Sequence, residues 1–132
     1  MRSRLPTATR AAAGVVAILG PAGVAHFVRP QFFDPLVPSW VPGSPRTVTH
    51  LSGVAEIASA VLVAIPRTRR LGGAMALATF AGVFPANIQA AIDGGIEGAP
   101  PPLDNAVAAW VRLPMQFPMF WLAWKVIRGD DG

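Results

Sequence analysis

The stretch TVTHLSGVAEIASAVLVAI-PRTRR-LGGAMALATFAGVFPANIQAAI, residues 47–92, decides the fold. Two long, mainly apolar runs flank a short turn, Pro66 to Arg70, that holds Arg67, Arg69 and Arg70. A bilayer core about 30 Å thick needs roughly 20 mainly apolar residues per helix. Each run is long enough to cross once, so the chain crosses, turns at a basic hairpin and crosses back. Working outward, Ala11 to Val28 and Ala106 to Ile127 have the same character. The expectation is an all-α, integral membrane four-helix bundle, one transmembrane domain over residues 1–132 with spans at about 11–28, 47–65, 71–92 and 106–127.

Composition agrees with this reading. Of the 132 residues 52% are apolar and only 14% are charged, against about 25% in ordinary soluble domains. The 14 prolines and 13 glycines do not signal disorder, because disordered chains combine low hydrophobicity with high charge and this chain has the reverse. With no cysteine, a disulfide framework, an iron–sulfur cluster and a thiol nucleophile within the chain are excluded. The net charge of +4 is spread in short clusters between apolar runs, with no basic stripe for nucleic acid.

Those clusters orient the chain, because cytoplasmic segments near helix ends carry an excess of Lys and Arg. Arg2, Arg4 and Arg10, then Arg67, Arg69 and Arg70, then Lys125 and Arg128 fall on one side. The other side has only Arg29 and Arg46, with Asp93, Glu97 and Asp104 in its second connection. This predicts a multi-pass protein of the cytoplasmic (cell) membrane with both termini cytoplasmic. An alternative takes the first apolar run as a signal peptide cleaved near Gly23, Val24 and Ala25. Cleavage would leave three spans and upset the charge alternation.

Helices in lipid associate through small residues. Ala74, Ala78, Gly82 and Ala86 recur every fourth residue, and Ala13, Ala17 and Ala25 mark a comparable face; these are the expected packing seams. Pro21, Pro85, Pro114 and Pro118 fall inside spans, each removing a backbone donor. They predict either a bundle widened into a pocket or freed carbonyls met by neighbouring hydroxyls or water.

Ionisable groups within a span cost several kcal/mol unless paired or hydrated. Glu56 lies nine residues inside Thr47, about 13 Å deep, and Arg112 six residues inside Ala106, about 9 Å deep at 1.5 Å per residue. Both depths run from the outer face, so an ion pair between Glu56 and Arg112 is expected. Thr49, Ser52, Glu56 and Ser59 share one helix face, as do Arg112 and Gln116. Asn87 and His26 sit near the outer ends of their helices, so every helix brings a polar group to the outer half. His50 is at that depth but turned about 120° from Glu56. Two readings follow: a sealed network that fixes helix packing, or a pocket that receives a polar head group, a ligand or a proton. No pair among His26, His50 and Glu56 has the one-turn spacing of a zinc helix, and no metal site is expected.

The connection from Arg29 to Arg46 carries Pro30, Pro35, Pro38, Pro42 and Pro45 with Phe32, Phe33, Leu36, Val37, Trp40 and Val41. It is too apolar for a loop in water. It is expected to anchor at the membrane interface, where Trp is enriched, or to fold over the polar cluster as a cap.

His26-Phe27, Pro30, Phe33, Val37-Pro38 and Val41-Pro42 around Trp40, Ser52-Gly53 before Glu56, Phe84-Pro85-Ala86-Asn87, and Arg112-Leu113-Pro114 with Gln116 together resemble the DoxX-like family of small membrane proteins. The resemblance runs from about Val15 to Trp124. It implies a four-helix membrane bundle with cytoplasmic termini, linked to membrane redox or stress-response systems, with quinone as the implied cofactor. The resulting expectation is a non-catalytic subunit, or a module that binds a small lipophilic ligand, quinone or lipid. Glu56, Arg112, Asn87, Gln116, His26, His50, Ser52 and Trp40 would form its site. The bilayer, a membrane or redox protein and a second copy of the chain are the expected partners. The alternatives are a membrane enzyme using Glu56 to transfer a proton on a lipophilic substrate, and a pure assembly scaffold.

Overall fold

Ser44 and Pro45 show how the sequence starts a helix. The Ser44 hydroxyl accepts a hydrogen bond from the Thr47 amide at 3.2 Å, and Pro45 takes the first helical position, where no amide donor is needed. The helix therefore begins two residues before the apolar run does. The same reasoning explains Asn105, whose side chain accepts from the Val107 amide at 2.7 Å just before Ala106.

The computed structural model describes residues 7–96, 99, 101 and 104–129. Arg2, Arg4 and Glu97, which enter the charge count, lie outside the described residues, as does most of the stretch 97–103. Every regular element described is helical: α1 (Thr7–Val28), a single turn α2 (Pro30–Phe33), α3 (Pro45–Ala64), α4 (Arg69–Ile92) and α5 (Ala106–Arg128), with 3-10 turns at Asp34–Leu36 and Pro66–Thr68. Pro21, Pro85, Pro114 and Pro118 all lie inside long helices and face outward.

The four long helices form a ring in which α1 packs on α3, α3 on α4, α4 on α5 and α5 on α1. The α3–α4 turn is tied by side chains that meet the carbonyls left free where α3 ends. Thr68 Oγ1 donates to Leu62 O at 2.8 Å, and Arg69 donates through Nε to Val63 O at 2.8 Å and through Nη2 to Ala64 O at 3.3 Å. The charged guanidinium also stands where the helix dipole favours a cation.

The interior divides lengthwise. Near this turn it is closed by Ala12, Val15, Leu19, Val63, Phe80, Ala123 and Val126, with small residues drawing the helices together. Toward the opposite end, where residues 29–44 run, Ala90, Ala91 and Ala109 form a small apolar cluster, and the polar side chains His26, Thr49, Glu56, Asn87 and Gln116 are buried as well. Many large apolar side chains point outward, among them Val24, Leu51, Val54, Val61, Leu71, Ile88, Val107, Trp110, Met115, Phe117 and Trp121.

The small-residue seams are corrected by the packing. Ala74 and Ala78 face outward, as do Ala13 and Ala17, whereas Gly82 and Ala86 border a cavity between the helices. The face of α4 that turns inward carries Gly72, Gly73, Ala76, Phe80, Asn87, Ala90 and Ala91. The four-residue repeat is real in the sequence, but inward packing selects the residues that let backbones touch. Gly72 abuts the backbone of α3 and Gly73 abuts Val126 and Ile127 of α5.

Candidate ligand-binding site

Where α1 crosses α3, Gly23 and Gly53 face each other. A Cβ on Gly23 would meet Ile57 Cγ1 at 2.7 Å and Gly53 O at 3.1 Å, and one on Gly53 would meet His26 Cβ at 2.8 Å. Only hydrogen fits at either position. Helical side chains lean toward their own N-terminus, and these two helices run in opposite directions, so His26 and Glu56, each one turn past its glycine, lean back toward the crossing. They meet there, with His26 Nδ1 3.2 Å from Glu56 Oε2.

This contact is not a well-formed hydrogen bond. His26 Nδ1 lies 2.6 Å from Ala22 O, and a carbonyl only accepts, so the Nδ1 proton is given to Ala22. Glu56 Oε2 is left without a hydrogen-bond partner despite its burial. Phe33 stacks on the other side of His26, with ring centroids 3.7 Å apart and planes within 16°, fixing the imidazole between the connecting segment and α3.

Opposite, α5 presents Arg112 and Gln116 one turn apart, and α4 presents Asn87. The expected ion pair between Glu56 and Arg112 is not formed: Glu56 Oε2 lies against His26 Nδ1 without a hydrogen bond, and Arg112 Nη1, though buried, has no hydrogen-bond partner. Gln116 Oε1 is equally without one. Among the described residues, no hydrogen bond links Asn87 or Gln116 to the charged pair, so the amides do not orient it as expected. The reason is separation. A cavity of about 420 Å³ lies between the helices, and His26, Ser52, Glu56, Asn87, Arg112 and Gln116 stand around it. Leu19, Phe33, Val37, Phe80 and Met119 supply apolar wall, so the chamber has an apolar body and a few converging polar groups.

Trp40, from the connecting segment, also lines the chamber. His50 does not; its ring stacks on Phe27 at a centroid distance of 5.2 Å. The 120° rotation from Glu56 already separated the two. Leu36, Val37, Pro38 and Trp40 form a partition, because they also line a second cavity of about 470 Å³ against Gln89 and Asp93 at the end of α4.

One residue that fixes the connecting segment was not singled out in the sequence. Asp34 ties that segment to α3, accepting from Thr49 Oγ1 at 2.7 Å and from Arg46 Nε at 2.9 Å. Partial withdrawal from water pulls its carboxyl up, but the hydrogen bonds from Thr49 and Arg46 and the charges of Arg46 and His50 outweigh this and hold it below the usual carboxylate range. The available signal was the lone acid in a segment otherwise made of prolines and large apolar residues. Its partners lie 12 and 15 positions away, beyond any local spacing rule.

These features define an all-helical protein in which three helices, within Thr9–Val28, Pro45–Ala64 and Pro66–Ile92, are long and apolar enough to cross a membrane, and in which polar groups converge on an internal chamber. The chain belongs to the family described as Domain of unknown function (DUF8561), which matches residues 7–127. Nothing among the curated proteins or the solved structures matches it.

Proposed function

We propose that this protein is an integral four-helix bundle of the cytoplasmic membrane, DoxX-like, with both termini cytoplasmic. In this reading it binds a small lipophilic ligand, a quinone or a lipid, as a non-catalytic module of a membrane redox or stress-response system. The membrane reading is supported by polarity turned inside out, with polar side chains buried and large apolar ones exposed. The same outward apolar face marks α5. Its outward residues include Val107, Trp110, Val111, Met115, Phe117, Trp121 and Trp124.

The observation that carries ligand binding is the chamber of about 420 Å³ with three buried polar atoms that make no hydrogen bond, Glu56 Oε2, Arg112 Nη1 and Gln116 Oε1. Each such atom costs about 1–3 kcal/mol, and more when charged. A sealed structural network satisfies its members internally, and this one does not. A polar head entering the chamber supplies the missing partners, while the apolar wall receives the rest of the molecule.

The test is native mass spectrometry of protein released gently from its own membrane, wild type against Glu56→Gln. A small apolar molecule retained at fixed stoichiometry by the wild type and lost from the variant is expected. A partner protein with no small molecule, unchanged by the substitution, would assign the cluster to assembly. The contact of 3.2 Å between His26 and Glu56 favours one second reading, an enzyme in which Glu56 exchanges a proton with the bound molecule. Turnover retained by Glu56→Gln would reject it.

A further inference from the structure

We propose that a slot between α3 and α4 opens the chamber sideways to the bilayer, and that the hydrocarbon chain of a membrane lipid enters the chamber through it. This rests on the membrane and ligand-binding readings above.

The two helices touch at one end and part toward the other. Near their connecting turn a Cβ on Gly72 would stand 2.5 Å from Val63 N, so the backbones are in contact there. About 15 Å further along α4, at 1.5 Å per residue, a Cβ on Gly82 would meet nothing within 4 Å. Gly82 nevertheless stands on the wall of the chamber, as does Ala86 one turn on. At 3.6 residues per turn Gly82 is rotated about 80° from Gly72, away from Gly73, which meets α5. It therefore lies on the flank of α4 next to α3. Across from it Ser52 and Val48 line the same chamber, rotated about 20° and 60° from Val63, the residue of α3 that Gly72 abuts. The facing flanks of the two helices thus border the chamber at the level where contact between them would shut it.

Exposure marks the same place. Among the described residues around the chamber, Gly82 and Trp40 are the exposed ones. Trp40 stands with Ala86 and Gln89 on the wall of the second cavity, so the flank of α4 from Gly82 through Ala86 to Gln89 leads from mid-helix up to Trp40. Two neighbouring seams are filled. Between α1 and α3 a Cβ on Gly53 would meet Gly23 O at 3.2 Å, and between α4 and α5 Phe84 packs edge-on against Phe117 and Phe120. Outside mid-helix lies hydrocarbon rather than head groups, so the molecule that meets the slot there is a chain. Gly82 and Ala86 give it a smooth rim, and Leu19, Phe80 and Met119 receive it inside.

The experiment uses the full chain in phosphatidylcholine nanodiscs doped with a phosphatidylcholine that carries a diazirine near the end of one acyl chain. Illumination yields a carbene that inserts into the side chains the acyl chain touches, and peptide mass spectrometry locates the adducts. The head group keeps this probe in the bilayer, so an adduct inside the chamber reports sideways entry. Adducts on Glu56 or Asn87, both more than nine-tenths buried, are expected in the wild type. Gly82→Leu, placed where nothing stands in the way of a side chain, should abolish them while adducts on the outward Leu51 and Val54 persist. Ala78→Leu, one turn earlier and facing outward, should leave the chamber adducts unchanged. Val48→Phe narrows the slot from α3 and takes the place of Gly82→Leu if that variant does not melt cooperatively.

Chamber adducts that survive the blocking substitution in a folded protein overturn the slot between α3 and α4. A wild-type protein without chamber adducts overturns chain entry. A small apolar molecule still retained in native mass spectrometry then leaves the ligand-binding reading standing, and its absence there removes that reading as well.

Discussion

The α3–α4 contact makes a quantitative prediction from one pair of substitutions, Gly72→Ala and Gly82→Ala. A Cβ on Gly72 would stand 2.5 Å from Val63 N, 2.7 Å from Leu62 C and 2.8 Å from Leu62 Cβ. Two of those atoms are backbone and cannot rotate aside, so α4 must move off α3. A Cβ on Gly82 meets nothing within 4 Å. Both glycines lie in α4, so the gain of about 0.5–1 kcal/mol for replacing glycine by alanine in a helix largely cancels between them. What remains is overpacking at Gly72, about 1–3 kcal/mol. Since each 1.4 kcal/mol is tenfold, a middle value of about 2 kcal/mol separates the unfolding constants roughly 30-fold. The assay is unfolding in mixed micelles titrated with dodecyl sulfate and followed by tryptophan fluorescence, with Gly82→Ala as stable as wild type or more so. Equal stabilities, or a less stable Gly82→Ala, would refute the packing and restore the seam of Ala74, Ala78, Gly82 and Ala86 as the internal contact.

Other consequences are open to direct measurement. Gly53→Ala should press on His26 Cβ and Phe27 Cε2, each 2.8 Å from the added carbon, and part α1 from α3; ligand retention in native mass spectrometry should fall with a stability loss of about 1–3 kcal/mol. Because the Asp34 carboxyl is held below its usual range, its latch contributes fully above the unfolded carboxylate pKa and is lost as pH falls through the lower folded value. The Trp40 fluorescence, taken as the difference between wild type and Trp40→Phe, should therefore stay constant from neutral pH down to about pH 4 and change below it, whereas Asp34→Asn should show the altered signal already at neutral pH. A transition near neutrality would contradict this. Asn105→Ala removes the acceptor for the Val107 and Ala108 amides and should cost about 1 kcal/mol in the micelle titration. With no native cysteine in the chain, Arg67→Cys and Ser39→Cys test orientation by labelling with an impermeant maleimide. Ser39→Cys should react in intact cells and Arg67→Cys only in inverted vesicles.

Helix positions were legible because they follow from local chemistry. Apolar runs, the Ser44-Pro45 and Asn105 starts and the basic turn at Pro66 to Arg70 place the four long helices within four residues of where they stand. Most of the chamber's polar lining was legible for a related reason: a polar side chain in an apolar run has to turn inward. His26, Ser52, Glu56, Asn87, Arg112 and Gln116 accordingly surround one chamber. Their pairing was not legible. Matching depths made Glu56 and Arg112 natural partners, but depth is one coordinate of three. The glycine crossing draws α1 onto α3 and gives Glu56 to His26, while the chamber stands between Glu56 and α5.

The seams failed for the same reason. A repeat of small residues marks a smooth face without saying which way the face turns, and rotation about the helix axis is set by neighbours. The sequence by itself determined what is settled along one helix: length, caps, the polarity of each turn and the side chains that lipid or a core would reject. Only the tertiary structure decided what depends on the relative rotation and spacing of helices: the face of α4 that meets α3, the side chain that approaches Glu56, and the tie of Asp34 to α3. Those relations arise between residues far apart in the chain, where backbone contact at Gly23, Gly53 and Gly72 fixes geometry that no local period encodes.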